Sequence, residues 1–437
     1  MRLKLLITLF QRIVYLMGSN HVDRLSNMPD EVLSEILSLM PTKFAVRTSI
    51  LSKRWRYKWT LVTNIDIDDS HPYHDLKIFS TFVDRVLGLC KTTEIRLFRL
   101  RFMEMWVQKS SVSKWIDEAV RLNVSELDIR VMLLGLPLSL FTCKTLTKLR
   151  VGFNSQHSNV WDWPTQVNLP CLKTLDIAVF SNPSLNAFKL IGGCPVLESL
   201  SFEVDHRSGE EEYRFSIPTL KHMKLRIRKS DPINKVVLNV PNLEDLFISG
   251  WWCSHFVMED FPSLVSVTFS GFRLTFDNLW AELLKGIIGV KSLTLIGHTG
   301  LPDAPFTNFP NLKHLELAGG WLKIFQFLER CSELEYLSIE EVREFQSFDI
   351  FRSMFNLFLL HFTNLGSLIL SVFKQKTEQS CWIAPHSVPI CILNNLATMK
   401  FENCIGRKDE LQFLEYMLGN AKVLKTNNHL QKWAHGG

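Results

Sequence analysis

One short apolar pattern recurs about a dozen times along this chain and constrains its fold more than any other feature. The pattern is a leucine-like residue, two others, a leucine-like residue, one other, and a leucine-like residue. Leu146, Leu149 and Val151 form one copy, and Leu172, Leu175 and Ile177 the next. Further clear copies open at Leu197, Leu220, Leu243, Leu264, Val290, Leu312 and Leu334, and weaker ones at Val124, Leu365 and Leu396. From Val124 to Leu334 the starts lie 21 to 26 residues apart. At such a period each copy is one supersecondary unit that stacks on its neighbours.

The last two apolar positions of a copy are two residues apart, so they point to one face of a strand. One strand cannot bury that face alone, whereas stacked copies bury a continuous apolar ladder. The spacing therefore predicts an α/β chain, a curved solenoid whose strands pair into one parallel sheet. The residues between the apolar pair face the concave side. An ordinary parallel sheet is the competing reading, but its strands usually read as unbroken apolar runs.

Length and composition agree. The 437 residues suit one solenoid with small flanking units. A hydrophobic content of 46% against 21% charged residues excludes general disorder. A net charge of +5 makes no case for nucleic acid. The nine cysteines are scattered without a CxxC pair, which fits a reducing compartment, nucleus or cytoplasm.

Chemistry-bearing motifs are sparse. No GxSxG elbow or HExxH pair occurs. Gly286 to Ser292 imitates a phosphate loop two residues too short, and the repeat claims its Val290. His71, His74 and Asp75 lack a second ligand cluster. Asn123-Val124-Ser125 is a glycosylation pattern that a nuclear or cytoplasmic protein would not use. No enzyme activity, cofactor or metal is expected.

The first residues, Arg2 and Lys4 followed by an apolar run to Phe10, imitate a signal sequence, but Arg12 interrupts the run and no cleavage site follows. The stretch is too short to span a bilayer, so no membrane partner is expected. Met17 is the expected start, with residues 1–16 an upstream extension. Val22 stands where myristoylation of Gly18 would want Ser or Thr.

Ahead of the repeats, Asp23 to Asp68 reads as a docking unit. Ser26 or Asn27 can cap a helix with Asp30 and Glu31 in its first turn. Leu33, Ile36, Leu37 and Met40 have helical spacing, Pro41 stops that helix, and Thr42 can cap the next. Three helices this short need a partner to complete their core. The basic run Lys53 to Lys58 reads as a solvated helix face with buried tryptophans in preference to a nucleic-acid site.

The segments "DRLSNMPDEVLSEILSLMPTK", "TSILSKRWRYKWT" and "NIDID" resemble the F-box of plant F-box/leucine-rich-repeat proteins, with Met28 in place of the usual leucine before Pro29. "VSKWIDEAVRLNVSEL" and "LPLSLFTCKTLTKL" are similar to the same family's lead-in to its repeats. The stretch from Cys381 to Thr426 resembles the FBD segment that follows such repeats. Within it, Leu411, Leu414 and Leu418 are expected on one packed face of a capping helix.

The resemblance implies a three-helix F-box followed by a leucine-rich-repeat solenoid and an FBD-type cap. Expected boundaries are a leader over 1–20, F-box over 21–68, linker and lead-in over 69–111, repeats over 112–375, FBD-like segment over 376–427 and tail over 428–437. It also implies docking on a Skp1-like protein and, through it, on cullin and RING subunits of an SCF-type ubiquitin ligase. Carried over by position, Met28, Pro29, Leu33, Ile36, Leu37, Pro41, Val46, Leu51 and Trp55 form or support the docking surface.

The repeats are then expected to bind an unidentified target protein. Lys224, Arg226 and Arg228 make a basic stripe, with Phe247, Trp251 and Trp252 nearby as aromatic anchors for an acidic target. The competing reading pairs the stripe with Glu203 and Asp245 across strands. Two further functions share this architecture, a Skp1-binding scaffold without ubiquitylation and a small-molecule-dependent receptor using the concave face.

Overall fold

The computed structural model describes residues 28–68, 76–102, 107–131, 136–153, 166–179, 184–205, 212–228, 235–250, 255–258, 261–271, 283–296, 307–318, 324–340, 382, 384–402 and 408–425. The chain divides into two compact units, Met1–Val196 and Leu197–Gly437.

The first unit opens with two prolines that each start a helix. Pro29 (φ −55°, ψ 150°) precedes α1, Asp30–Ser38, and Pro41 (φ −54°, ψ 136°) precedes α2, Thr42–Arg47. Proline's fixed φ and missing N–H suit this position, where the amide would have no intrahelical partner. Neither helix has a side-chain cap. Ser26 and Asn27 lie outside the described residues, and α1 begins at Asp30 with Pro29 at its cap position. The Thr42 hydroxyl, expected as a cap, instead accepts a hydrogen bond from the Asp66 N–H at 2.8 Å.

The expected third helix is replaced by two 3₁₀ segments, Thr48–Ile50 and Trp55–Leu61. With i→i+3 geometry, the second buries Trp55 and Trp59 against Leu33, Leu37 and Ala45, all at most 7% exposed. Lys53, Arg54 and Arg56 stay exposed.

Five parallel strands follow in that unit: β1 (Asn64–Asp68), β2 (Leu97–Phe102), β3 (Glu126–Val131), β4 (Lys148–Phe153) and β5 (Thr174–Val179), paired in that order. The apolar ladder is in register: Ile65, Phe98, Leu127, Leu149 and Leu175 stand opposite one another, and all are buried. Two copies of the repeat thus precede those read from sequence, Val62-Ile65-Ile67 and Ile95-Phe98-Leu100. Residues 69–111, expected as linker, supply β2 and helix α3, Leu76–Leu89. Strand β1, "NIDID", serves both as the end of the docking unit and as the start of the sheet.

Helix α4, Lys109–Arg121, packs Val112, Trp115 and Ile116 inward and ends on Asn123 at φ 51°. Asparagine tolerates this left-handed turn. Its side-chain amide, the nominal glycosylation site, donates to the Thr93 carbonyl. Helix α5, Ser184–Gly192, closes this unit.

In the second unit the parallel order is β6 (Ser199–Asp205), β8 (His222–Arg228), β10 (Asp245–Gly250), β12 (Ser266–Ser270), β13 (Ser292–Ile296), β14 (His314–Ala318), β15 (Tyr336–Glu340) and β16 (Thr398–Glu402). Leu200, Met223, Leu246, Val267, Leu293, Leu315, Leu337 and Met399 run across it in one register and are all buried. Strand β13 starts inside the stretch that imitates a phosphate loop, with Val290 and Leu293 in the core. Strand β15 pairs directly with β16, so the copy expected at Leu365, which lies outside the described residues, does not separate them.

A three-stranded parallel sheet in this unit, β7 (Glu212–Ser216), β9 (Lys235–Asn239) and β11 (His255–Met258), did not emerge from the repeat pattern. It buries Tyr213, Phe215 and Val236 to Leu238, with Phe215 edge-on to Phe202 at 5.6 Å. Elsewhere a short helix, α6 (Ile324–Leu328), follows the repeat strand.

The terminal segment adds α7, Ile390–Asn394, and α8, Lys408–Asn420. Phe413 and Met417 of α8 are fully buried, and Phe413 joins an aromatic cluster with Phe325, Trp382 and Phe401. The face expected to pack was the other one. Leu411 and Leu418 are more than half exposed and Leu414 is half-buried, because the larger aromatic payload of Phe413 rotates the helix toward its own side.

Candidate functional site

The docking residues expected from sequence divide into two groups. Leu33 and Leu37 are fully enclosed and Trp55 nearly so, which makes them the core that holds α1, α2 and the 3₁₀ segment together. Pro29 and Leu51 are exposed, and Met28, Ile36, Pro41 and Val46 are half-buried. Several residues outside the expected set are more open: Ile50 is 88% exposed, Leu39 59% and Tyr57 58%, with Val32 and Leu61 also at the surface. So many large apolar side chains on one small unit exceed what scattered surface residues explain.

The frame beneath them is tied by charge. Asp30 forms an ion pair with Arg54 at 3.2 Å and with Lys58, linking the first turn of α1 to the 3₁₀ segment. These two hydrogen bonds, that of Lys58 first, hold the Asp30 carboxyl below the usual carboxylate range. Arg54 also donates to the Met28 carbonyl. Ser38 joins α1 to the sheet, since its hydroxyl accepts from the Thr63 N–H at 3.1 Å and its carbonyl from the Asn64 side chain at 2.9 Å.

The expected target surface lies on the sheet face of the second unit opposite its buried apolar ladder. Ser201, Lys224, Phe247 and Thr268 form one row across β6, β8, β10 and β12. The Lys224 amine sits 4.9 Å from the Phe247 ring centre and the Arg226 guanidinium 5.7 Å, both within cation–π range. Arg226 Nη1 lies 3.7 Å from Glu203 Oε2, so that half of the competing reading holds. Among the described side chains, Asp245 pairs with neither Lys224 nor Arg226. It takes His222 Nδ1 at 2.7 Å and a hydrogen bond from the Ser266 hydroxyl, because His222 is its neighbour in register.

These residues border an open depression of about 270 Å³ lined by Ser201, His222, Lys224, Asp245, Phe247 and Thr268. The backbone of Arg228 continues β8, while its side chain, like Trp251 and Trp252, lies outside the described residues, as do His71, His74 and Asp75. Among the described residues no group of three potential metal ligands forms. The charged rows of β1 to β5 were only partly read. The target-surface expectation does not include Asp66, Arg99, Asp128 or Arg130, although their alternation with apolar residues in "NIDID", "LFRLRF" and "ELDIRV" carries the signal.

Comparison with known proteins agrees with this architecture. The family model described as F-box domain matches residues 25–64, and that described as FBD matches 384–427. The model described as the repeats of FBD-associated F-box protein At5g56370 matches 112–267. The chain is 29% identical over 426 residues to FBD-associated F-box protein At4g10400 of Arabidopsis thaliana, covering 93% of this chain and 92% of that protein. It is 37% identical over 269 residues to F-box/LRR-repeat protein At3g59200 of the same organism, covering 58% and 51%. With F-box/FBD/LRR-repeat protein At4g26340, also from Arabidopsis thaliana, identity is 27% over 421 residues, covering 93% and 92%. The chain thus carries the three domains, F-box, leucine-rich repeat and FBD, that name these relatives.

Proposed function

We propose that this chain is the substrate-receptor subunit of an SCF-type ubiquitin ligase, acting in the nucleus or cytoplasm. Its F-box docks a Skp1-like protein, and its repeats hold a target protein near the ubiquitin-charged enzyme. The chain itself performs no catalysis and contributes proximity. The observation that carries this reading is the exposed apolar set Leu39, Ile50, Leu51, Tyr57 and Leu61 on a unit whose inner residues are already packed.

Lys224, Arg226, Arg228 and Phe247, with Trp251 and Trp252, are the proposed target contacts. The Lys224 and Arg226 cations over Phe247 combine charge with a desolvating surface. A small-molecule receptor finds less support, since the depression of about 270 Å³ is open, whereas ligand pockets are concave and bury most of their ligand.

Co-purification with a Skp1-like protein tests the docking half. Stoichiometric capture is expected for wild type and lost in an Ile50→Asp/Leu51→Asp variant whose circular dichroism is unchanged. Absence of wild-type capture across several Skp1-like proteins would overturn the adaptor reading. Accumulation of bound targets on cullin inhibition separates a ligase subunit from a scaffold. Charge reversal at Lys224 and Arg226 that leaves target pull-down unchanged would remove those residues from the contact set.

A further inference from the structure

The inner sheet face of the first unit carries a charge pattern that Skp1 docking leaves unused. Along its middle row Asp66, Arg99, Asp128, Arg150 and Asp176 stand opposite one another on β1 to β5, so the sign alternates across five strands. That row is internally matched, with Arg99 Nη1 2.8 Å from Asp66 and Arg150 Nε 3.5 Å from Asp176.

The neighbouring row breaks the alternation. It reads Asp68, Arg101, Arg130, Gly152 and Ala178. Like charges directly opposite destabilise a sheet, and here Arg101 faces Arg130. Both lean on Asp128: Arg101 Nη2 bonds its Oδ2, and Arg130 Nε lies 3.7 Å from its Oδ1. Arg99 Nε reaches the same carboxylate at 3.4 Å. One carboxylate, its side chain 5% exposed, therefore serves three guanidinium groups. Asp68 stands on the far side of Arg101, so the acid of this row lies toward β1 and the base toward β3.

Beyond Arg130 the described residues of the row, Gly152 and Ala178, carry little or no side chain. A Cβ placed on Gly152 would lie 3.6 Å from Arg130 Cγ, so the half-exposed arginine lies over a shelf floored by Gly152 and Ala178. Buried polar atoms at this place lack hydrogen-bond partners: Arg101 Nε, Arg150 Nε and Asp128 Oδ1. Of these, Arg150 Nε already lies 3.5 Å from Asp176, which leaves Arg101 Nε as the donor without a bond.

We propose that Arg101 and Arg130, above the Gly152–Ala178 shelf, form a subsite for an anionic side chain, carboxylate or phosphate, on a polypeptide lying across the repeats. The proposal rests on the reading that the repeats hold a target protein. A peptide fits better than a nucleic acid, because a continuous polyanion would meet Asp66, Asp68 and Asp176 around the same arginines, whereas one anionic side chain occupies the shelf alone.

The test uses the full chain purified with its Skp1-like partner. Fluorescein-labelled peptides of one neutral sequence, carrying at its centre glutamate, phosphoserine or serine, are titrated by anisotropy, with a labelled oligo-dT strand as a fourth probe. At least one anionic peptide is expected to bind about tenfold tighter than the serine parent, and which one does so tells carboxylate from phosphate. The preference is expected to vanish in Arg101→Gln/Arg130→Gln. It is also expected to vanish in Gly152→Glu, which sets a carboxylate on the shelf while keeping every arginine. Equal binding of all three peptides overturns the proposal, as does a preference that survives Gly152→Glu, or oligo-dT binding through these arginines more tightly than any peptide. Skp1 capture measured on the same preparations reports separately on the adaptor reading.

Discussion

The side chain of Thr42, the first residue of α2, accepts a hydrogen bond of 2.8 Å from the backbone N–H of Asp66 in β1. Thr42 is buried at 1% exposure, so this bond ties the docking helices to the first strand of the sheet in a place water cannot reach. Together with the bonds that Ser38 accepts from Thr63 and Asn64, it ties the F-box to the first repeat strand. Thr42→Val keeps the shape and removes the acceptor, leaving the Asp66 N–H unsatisfied. The expected loss is about 1–3 kcal/mol, read as a lower urea midpoint, with Skp1 capture retained at temperatures where the variant stays folded.

Helix α8 offers a paired test of which face is packed. Phe413→Ala opens a hole among Phe325, Trp382 and Phe401 and is expected to cost about 3–5 kcal/mol. Leu411→Ala, two residues away and exposed, is expected to stay within about 0.5 kcal/mol of wild type. Thermal denaturation of the two side by side decides between the observed face and the leucine face that periodicity favoured.

Thiol reactivity should follow burial. Removal from water pushes the Cys194 thiol up to about 12 and that of Cys391 to about 11, and raises Cys331 further still. Thiolate is the reactive form, so these three should resist iodoacetamide in the native protein. Cys171 is exposed and should be alkylated first. Peptide mass spectrometry resolves the sites, and rapid labelling of Cys194 or Cys391 without denaturant would contradict the packing around them.

Acid should loosen the docking unit through Asp30. Its carboxyl is held low by Lys58 and then Arg54, so its contribution is present above the ordinary carboxylate pKa and fades as pH falls through the lowered folded value. Asp30→Asn should therefore lower the melting temperature at neutral pH. The gap between variant and wild type should narrow well below about pH 4. A gap that stays constant across that range would mean that the ion pairs with Arg54 and Lys58 contribute nothing.

Much of the architecture was legible because the repeat writes burial directly into spacing. Leu149 and Val151, or Leu337 and Ile339, are inward by the period of two alone, and their register across strands follows from stacking identical patterns. The break between α1 and α2 was also readable, since Pro41 acts through its own covalent geometry. Tertiary packing decided the rest. The strand at Leu97–Phe102 lay in what reads as linker, because one copy of a repeat is indistinguishable from a chance apolar pair until its neighbour is in place. The face of α8 depended on which side chain filled the space beside Trp382, and helical spacing is equally satisfied by Leu411 and by Phe413. The three guanidinium groups around Asp128 come from two strands 27 residues apart in sequence at their Arg101–Asp128 bond. Local pattern sets which way a residue points, but long-range charge pairing exists only once the strands that carry it have been brought side by side.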